Sequence, residues 1–512
     1  MTPKQCRNDD WCEWAPILEQ LEPRTLLSGV TIITHGFQSD VDKGGWVRSM
    51  ADAIATAHGG IGSVAQFILR VDNDGGTIEA TSLRRVSGPV ESFSEGNATG
   101  EVIILIDWSD LDGGINSGNG IPTGNVGAVV FDYLFNNPVA GQMVFELPIH
   151  MIGHSRGASL NTYLAGRLAQ LGIWVDHFTT LDPHPVDGIF GGDPINFHDQ
   201  KMAVWDNVVF ADNYWQEGST VNGEFVTGAY NVELDASRLR RYIPGGFQKV
   251  INPGYKDQFD VTDIMGSHSD VHLWYHGTID TKINPLTDGY SGTTPVEEFH
   301  GWYIGNDSSG DPRGSRTQTG YAFSRLVDPG SRPTAGLKSS GASRISVPRS
   351  GSQADAWDNI QITGLNDDIE RSVGQSINVS AAFEDLDGNA VITFGLDNDA
   401  NPYTTSTIAL KVSDADQGSG VARNQSIVTG SIPTAGAAPG TYHIYAQISQ
   451  NGRTRYYYAP GQVEIVQAEQ NAPVIQSVQP TQLEGLPSNQ RQTLTIAGSG
   501  FGQGTSLKFV RN

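Results

Sequence analysis

The sequence predicts an α/β domain built on a mainly parallel sheet, followed by β-sandwich sequence. Three observations lead there. Apolar runs at 30–34, 66–71, 102–107, 147–152, 177–181 and 207–211 alternate with helix-forming stretches near 45–57, 125–135 and 156–170, the alternation that builds parallel sheets covered by helices. A Gly-x-Ser-x-Gly pentapeptide, Gly153–His154–Ser155–Arg156–Gly157, stands between one of those runs and one of those helices. Beyond residue 355 the pattern changes to short alternating runs such as Ser376–Ser380 and Thr441–Ala446, which suit half-buried strands.

The pentapeptide carries the chemistry. Leu147–Ile152 reads as a buried strand, and Ala158–Ala169 is rich in helix formers and closed by Gly172. Strand, sharp turn and helix is the setting in which such a serine becomes a nucleophile, the glycines allowing a strained turn and close strand–helix packing. A serine hydroxyl at neutral pH needs a base, an acid to orient that base, and donors for the oxyanion. His177–Leu181 is the next strand-like run and ends in Asp182–Pro183; because Pro183 cannot continue a ladder, Asp182 opens a loop at the strand end. Asp212, after Val208–Ala211, is the rival acid one strand later.

For the base, Gly266–His276 offers three histidines. His268 lies nearest the preceding loop and is the first candidate; His272 is the alternative, and His276 reads as solvated or capping. Helical spacing of histidines also raises metal ligation, but Ser269 stands where the glutamate of an H-E-x-x-H zinc motif belongs, so no metal is expected. The oxyanion donors would be the backbone N–H groups of Arg156 and Phe37, the latter in the turn after the apolar run Val30–Thr34. His35 beside it reads as a hydrogen-bonded structural side chain.

These stretches together resemble the pancreatic-lipase-type branch of the α/β-hydrolases. The resemblance rests on His35–Gly36–Phe37 with Asp42, Gly44 and Trp46, then Ile106–Trp108, Asn125–Gly127, Gly153–Gly157, Leu181–Pro183 and Ser267–His268, in the family's order over residues 30–325. It implies an α/β-hydrolase domain, the Ser, Asp, His chain order, an acid after the strand that follows the nucleophile helix, and hydrolysis of carboxylic esters of lipid-like substrates. Two departures stand out: Arg156 replaces the leucine usual after the nucleophile, and no cysteine pair closes a lid.

The chain has 512 residues, 38% of them hydrophobic and 17% charged, with a formal net charge of −24. That length suits about three domains. The acidic balance, with no basic stripe, argues against a nucleic-acid partner. No run of 18 apolar residues is present, so no membrane-spanning helix is expected. Both cysteines, Cys6 and Cys12, lie in the N-terminal segment, so the later domains do not depend on disulfides. Leu21–Ser28 resembles the LEPR-XLL segment of large bacterial surface proteins, which implies a secreted or cell-surface protein with residues 1–29 as an export or surface segment.

Residues 30–325 are expected as the hydrolase domain, with a polar insertion at 212–265 over the site and a last strand at Tyr321–Arg325. A flexible linker is expected over 326–355, an Ig-like β-sandwich over 356–467, and over 471–512 a partial domain resembling the start of an IPT/TIG module. Asp72–Gly76 and Asp385–Asn389 are candidate calcium loops, though turn chemistry alone also accounts for such sequences. No cofactor is required by the expected reaction. Two functions follow: an exported serine hydrolase acting on lipid-like esters, or a surface adhesion protein with a degenerate hydrolase domain and binding β-domains.

Overall fold

The computed structural model describes residues 28–37, 41, 45–58, 60–88, 100–113, 120–188, 196–217, 221–234, 268, 271–272, 274–279, 319–327, 329–352, 355–388, 390–404, 426–467, 474–479 and 493–499. The chain divides into two compact units, the first ending at Pro348 and the second holding Arg349–Asn512 together with residues 146–148 and 171–173.

The first unit is organised on one eight-stranded sheet. Its strands are β1 (Gly29–Thr34), β2 (Ala65–Asp74), β3 (Thr77–Ser87), β4 (Glu101–Asp107), β5 (Ile149–His154), β6 (Val175–Leu181), β7 (Val208–Trp215) and β8 (Tyr230–Glu233), in the order β3-β2-β4-β1-β5-β6-β7-β8. Neighbours from β2 to β8 pair in parallel, and β3 runs antiparallel to β2. β1, β4, β5 and β6 are buried along their whole length; β1 and β4 read as near-continuous apolar runs for that reason, whereas β6 buries Asp176, His177, Thr179 and Thr180 among its apolar residues. Among the helices beside the sheet are α1 (Trp46–Ala57), α2 (Thr123–Asn136) and α3 (Arg156–Gln170), and residues 274–279 are helical as well. α1 buries Trp46, Val47, Met50, Ala51, Ile54 and Ala55, one face at helical spacing; α3 packs on β5 and α2.

The fold class departs from the expectation. The chain is mostly β, 42% strand against 21% helix, in several sheets of mixed direction, and it does not show the α/β-hydrolase pattern of a parallel sheet flanked by helices. The reason lies in the connections. α1, α2 and α3 fill β1→β2, β4→β5 and β5→β6, but β2→β3 is a hairpin, and β6→β7 and β7→β8 carry no helix among the described residues. β3 escaped the sequence because its exposed, polar alternation resembles a loop.

Two other expectations change. Gly320–Phe323 is a 3₁₀ turn and not a last strand. Residues 329–348, expected within a flexible linker, are tied to the first unit by cations. Arg332 donates to Asp176 Oδ2 at 2.8 Å and to the Phe323 carbonyl at 2.8 Å. Arg344 donates to the carbonyls of Val208 at 2.9 Å and Gly228 at 2.7 Å. A linker composition was therefore the wrong guide: Ser, Gly and Pro supply the turns, and the arginines supply the anchoring.

The second unit contains a four-stranded sheet, β10 (Ile369–Ser372), β15 (Arg453–Val466), β14 (Gly440–Gln450) and β12 (Val391–Asp397), and a three-stranded one, β13 (Ser426–Pro433), β11 (Ser376–Glu384) and β9 (Asn359–Thr363). Inward residues of both sheets, among them Ile360, Ile377, Phe383, Phe394, Ile444 and Ile465, share one apolar core. β16 (Val474–Gln479) and β17 (Thr495–Ser499) form a separate antiparallel pair. The N-terminal segment 1–27, with its LEPR-like stretch, lies outside the described residues.

Candidate active site

β5 and β6 run in register, with His154 beside Leu181. The residues that follow, Ser155 and Asp182, therefore leave the sheet side by side at its C-terminal edge, where parallel strands hold their chemistry. Both carry positive φ, 56° at Ser155 and 44° at Asp182, a backbone that L side chains rarely adopt and that clusters at functional sites. Two neighbouring strains are fixed by backbone bonds: Ser155 N–H donates to the Leu181 carbonyl at 3.0 Å, and Asp182 N–H to the Tyr214 carbonyl at 2.7 Å.

Close approach explains the glycines. A Cβ on Gly157 would meet the carbonyl oxygens of Thr34 at 2.4 Å and His35 at 2.5 Å, so α3 could not sit against β1. A Cβ on Gly36 would stand 2.5 Å from Ser155 Cβ and 2.9 Å from its Oγ. The turn that carries Phe37 thus lies directly against the serine side chain.

The Asp182 carboxylate is fully buried and well supplied with donors. Gln216 gives its backbone N–H to Oδ1 at 2.8 Å and its side-chain Nε2 to Oδ2 at 2.7 Å. His268 Nδ1 lies 2.6 Å from Oδ2. Burial pushes the Asp182 carboxyl up, opposed by the Gln216 donors and by His184. Burial also pushes His268 well below the usual histidine range, helped by the nearby His184 and His272. A neutral His268 that donates Nδ1–H to Asp182 keeps Nε2 as an acceptor. That Nε2 is buried and makes no hydrogen bond among the described residues, Ser155 Oγ included. His154, next to Ser155, ties His268 to the serine turn: its Nε2 is 3.0 Å from the His268 carbonyl, and the two rings are 4.6 Å apart.

The alternatives go elsewhere. Asp212 lies inside the sheet, its Oδ1 3.0 Å from His177 Nε2 and its Oδ2 3.0 Å from the Tyr214 hydroxyl, while burial raises its carboxyl to about 6. His272 is buried with its ring stacked on Trp46 at 4.4 Å. His276, expected at the surface, is fully buried. His35 is structural: it stacks on Trp108 at 5.7 Å, and its Nε2 accepts the Trp108 N–H at 3.3 Å.

Arg156 begins α3, so its N–H is one of the helix donors that lack an intrahelical acceptor. Its side chain is wholly buried and forms a bidentate pair with Asp199, Nε to Oδ2 and Nη2 to Oδ1, each 2.6 Å. Phe37, half-buried in the turn after β1, supplies the other expected N–H. Asp42, Gly44 and Ser267, which belong to the family resemblance, lie outside the described residues.

Sequence reasoning missed Gln216, Asp199 and His154. Gln216 directly follows the end of β7, beside Asp182, and that placement was the available signal. Asp199 lies in an irregular segment and offers none. In the candidate calcium loops, the carboxylates serve the local chain. Asp72 Oδ2 accepts from Arg70 Nε at 2.8 Å and Thr81 Oγ1 at 3.0 Å in the β2–β3 hairpin. Asp385 accepts the N–H groups of Gly388 at 2.8 Å and Ala390 at 2.9 Å. No cluster of three or more metal-ligating side chains occurs among the described residues. Among those residues, too, no helix is long and apolar enough to cross a membrane.

No family model and no curated protein matches the chain. Solved structures match only distantly. The M1 domain from titin shares 9% identity and a TM-score of 0.14 over 22% of this chain and 95% of its own. A family 123 glycoside hydrolase from Clostridium perfringens shares 9% identity and a TM-score of 0.14 over 22% of this chain and 28% of its own. The endo-beta-1,4-mannanase from Thermotoga petrophila shares 11% identity and a TM-score of 0.19 over 87% of this chain and 98% of its own.

Proposed function

We propose that the protein is an exported serine hydrolase that cleaves carboxylic esters of lipid-like substrates through an acyl-enzyme. The observation that carries this reading is the His268 Nδ1 to Asp182 Oδ2 contact of 2.6 Å beside a serine held at positive φ. In this reading Ser155 Oγ attacks the ester carbonyl while His268 Nε2 takes its proton, a contact that closes when substrate is bound. Asp182 holds the imidazole in the tautomer that leaves Nε2 free and stabilises the imidazolium that forms. The N–H groups of Arg156 and Phe37 bind the oxyanion. His268 then returns the proton to the leaving alcohol, and water hydrolyses the acyl-enzyme by the same steps. The lipid-like substrate class and the export follow from the sequence resemblances.

A fluorophosphonate probe tests the reading, because it phosphonylates an activated serine. Labelling of the wild-type chain that is lost in Ser155→Ala is the expected result. An unlabelled wild-type chain would overturn it and favour the alternative, a surface protein with a degenerate hydrolase domain.

A further inference from the structure

An arginine immediately after a nucleophilic serine suggests a charge offered to an anionic substrate. The geometry around Arg156 points elsewhere. Its side chain has no exposure. Besides the bidentate Asp199 pair, Nη1 donates to the Asp112 carbonyl and Nη2 to the Ile121 carbonyl at 2.7 Å. Its guanidinium lies against three rings: Phe197 at 4.7 Å, Trp108 at 5.0 Å and Phe37 at 5.4 Å. Asp199 in turn accepts the N–H of Thr123 at 3.1 Å and of Val186 at 2.9 Å. One ion pair therefore links four parts of the chain: the Phe37 turn, Asp112 with Ile121 and Thr123, the start of α3, and Val186 with Asp199 beyond Asp182.

Both oxyanion donors belong to this cluster. Arg156 supplies one N–H, and its guanidinium packs on the ring of Phe37, which supplies the other. We propose that Arg156 and Asp199 are a positioning pair that fixes the two oxyanion donors relative to each other, with the guanidinium making no contact to substrate. Its charge is spent on Asp199, so the pair adds no preference for anionic esters. The inference rests on the ester-hydrolase reading. An oxyanion hole works only when its donors already stand where charge develops, so misplacing them weakens transition-state binding and leaves ground-state binding nearly unchanged.

The test is steady-state kinetics on a soluble p-nitrophenyl ester, with affinity for a boronic-acid transition-state analogue, in Asp199→Asn and Arg156→Lys. In Asp199→Asn we expect kcat to fall on the order of 10²-fold, KM to stay within about threefold, and analogue affinity to fall in parallel with kcat/KM. Lysine is a point charge that cannot span Asp199 and two carbonyls, so Arg156→Lys shows the same split and keeps the test open if Asp199→Asn does not fold. A folded variant of either kind with kcat within about threefold of wild type overturns the proposal. So does a loss confined to KM, which would make Arg156 a substrate contact. Ser155→Ala separates the two readings: if it stays active the ester-hydrolase reading fails, whereas if it is dead and both pair variants are normal only the positioning role fails.

Discussion

His268 meets Asp182, and not Asp212, through an Nδ1 to Oδ2 contact of 2.6 Å, while Asp212 is engaged by His177 at 3.0 Å. Two buried aspartates at neighbouring strands thus have different histidines. The first pair lies at the sheet edge beside the strained serine; the second is internal to the sheet. The difference in partner favours Asp182 as the acid of the proposed triad, a choice that strand order alone left open.

Ser155→Ala should abolish ester hydrolysis, a loss on the order of 10⁴–10⁶ in turnover, leaving what oxyanion donors and binding supply. The thermal transition should change little, since only one hydroxyl is removed. Turnover within about tenfold of wild type on a soluble ester would refute the nucleophile.

Asp182→Asn keeps the shape of the acid but offers an amide where the His268 N–H needs an acceptor. Turnover should drop by about 10⁴-fold, as should that of His268→Ala. Asp212→Asn and His272→Ala should act on stability, with kcat of the folded protein close to normal. The reverse ranking in kinetics would move the acid to Asp212 or the base to His272.

Gly36→Ala should remove most of the proposed ester hydrolysis without unfolding the protein. Its Cβ would come within 2.5 Å of Ser155 Cβ, and displacing a catalytic group by about 1 Å costs roughly 10²-fold. Circular dichroism would report the fold and p-nitrophenyl ester turnover the loss. Normal turnover would mean that the Phe37 turn does not face the serine.

The pH profile follows from burial of His268, which moves its pKa below the ordinary value of 6.5. A base must be neutral, so activity falls as pH drops through the lowered pKa. The acid limb of kcat/KM is expected below pH 6.5, on the acid side of an exposed histidine. A limb at or above 6.5 would contradict the buried, neutral base.

Arg332→Ala should destabilise the first unit by about 3–5 kcal/mol, because it strands Asp176 in the interior without its cation. Asp176 is buried, and its carboxyl is held below the usual carboxylate range by Arg332 against the cost of burial. Denaturant unfolding would measure the loss. A change under about 1 kcal/mol would mean that the 329–348 segment is the loose linker its composition suggests.

What the sequence determined by itself was local: the strand–turn–helix around Ser155, the strand end at Asp182, and the apolar runs of β1 and β4. Each depends on residues close in the chain, where burial on both faces or a glycine-bracketed turn leaves a pattern that periodicity can read. The tertiary structure decided what those patterns cannot carry. Which carboxylate faces His268 depends on loops 86 residues apart. Sparse helices and the polar, half-exposed β3 decided the fold class, since an edge strand needs no apolar run. Arg156 is the sharpest case. In sequence it is a charge beside the candidate nucleophile; in the folded chain Asp199, 43 residues away, neutralises it, because a buried guanidinium is tolerable only where the fold has brought an anion to meet it.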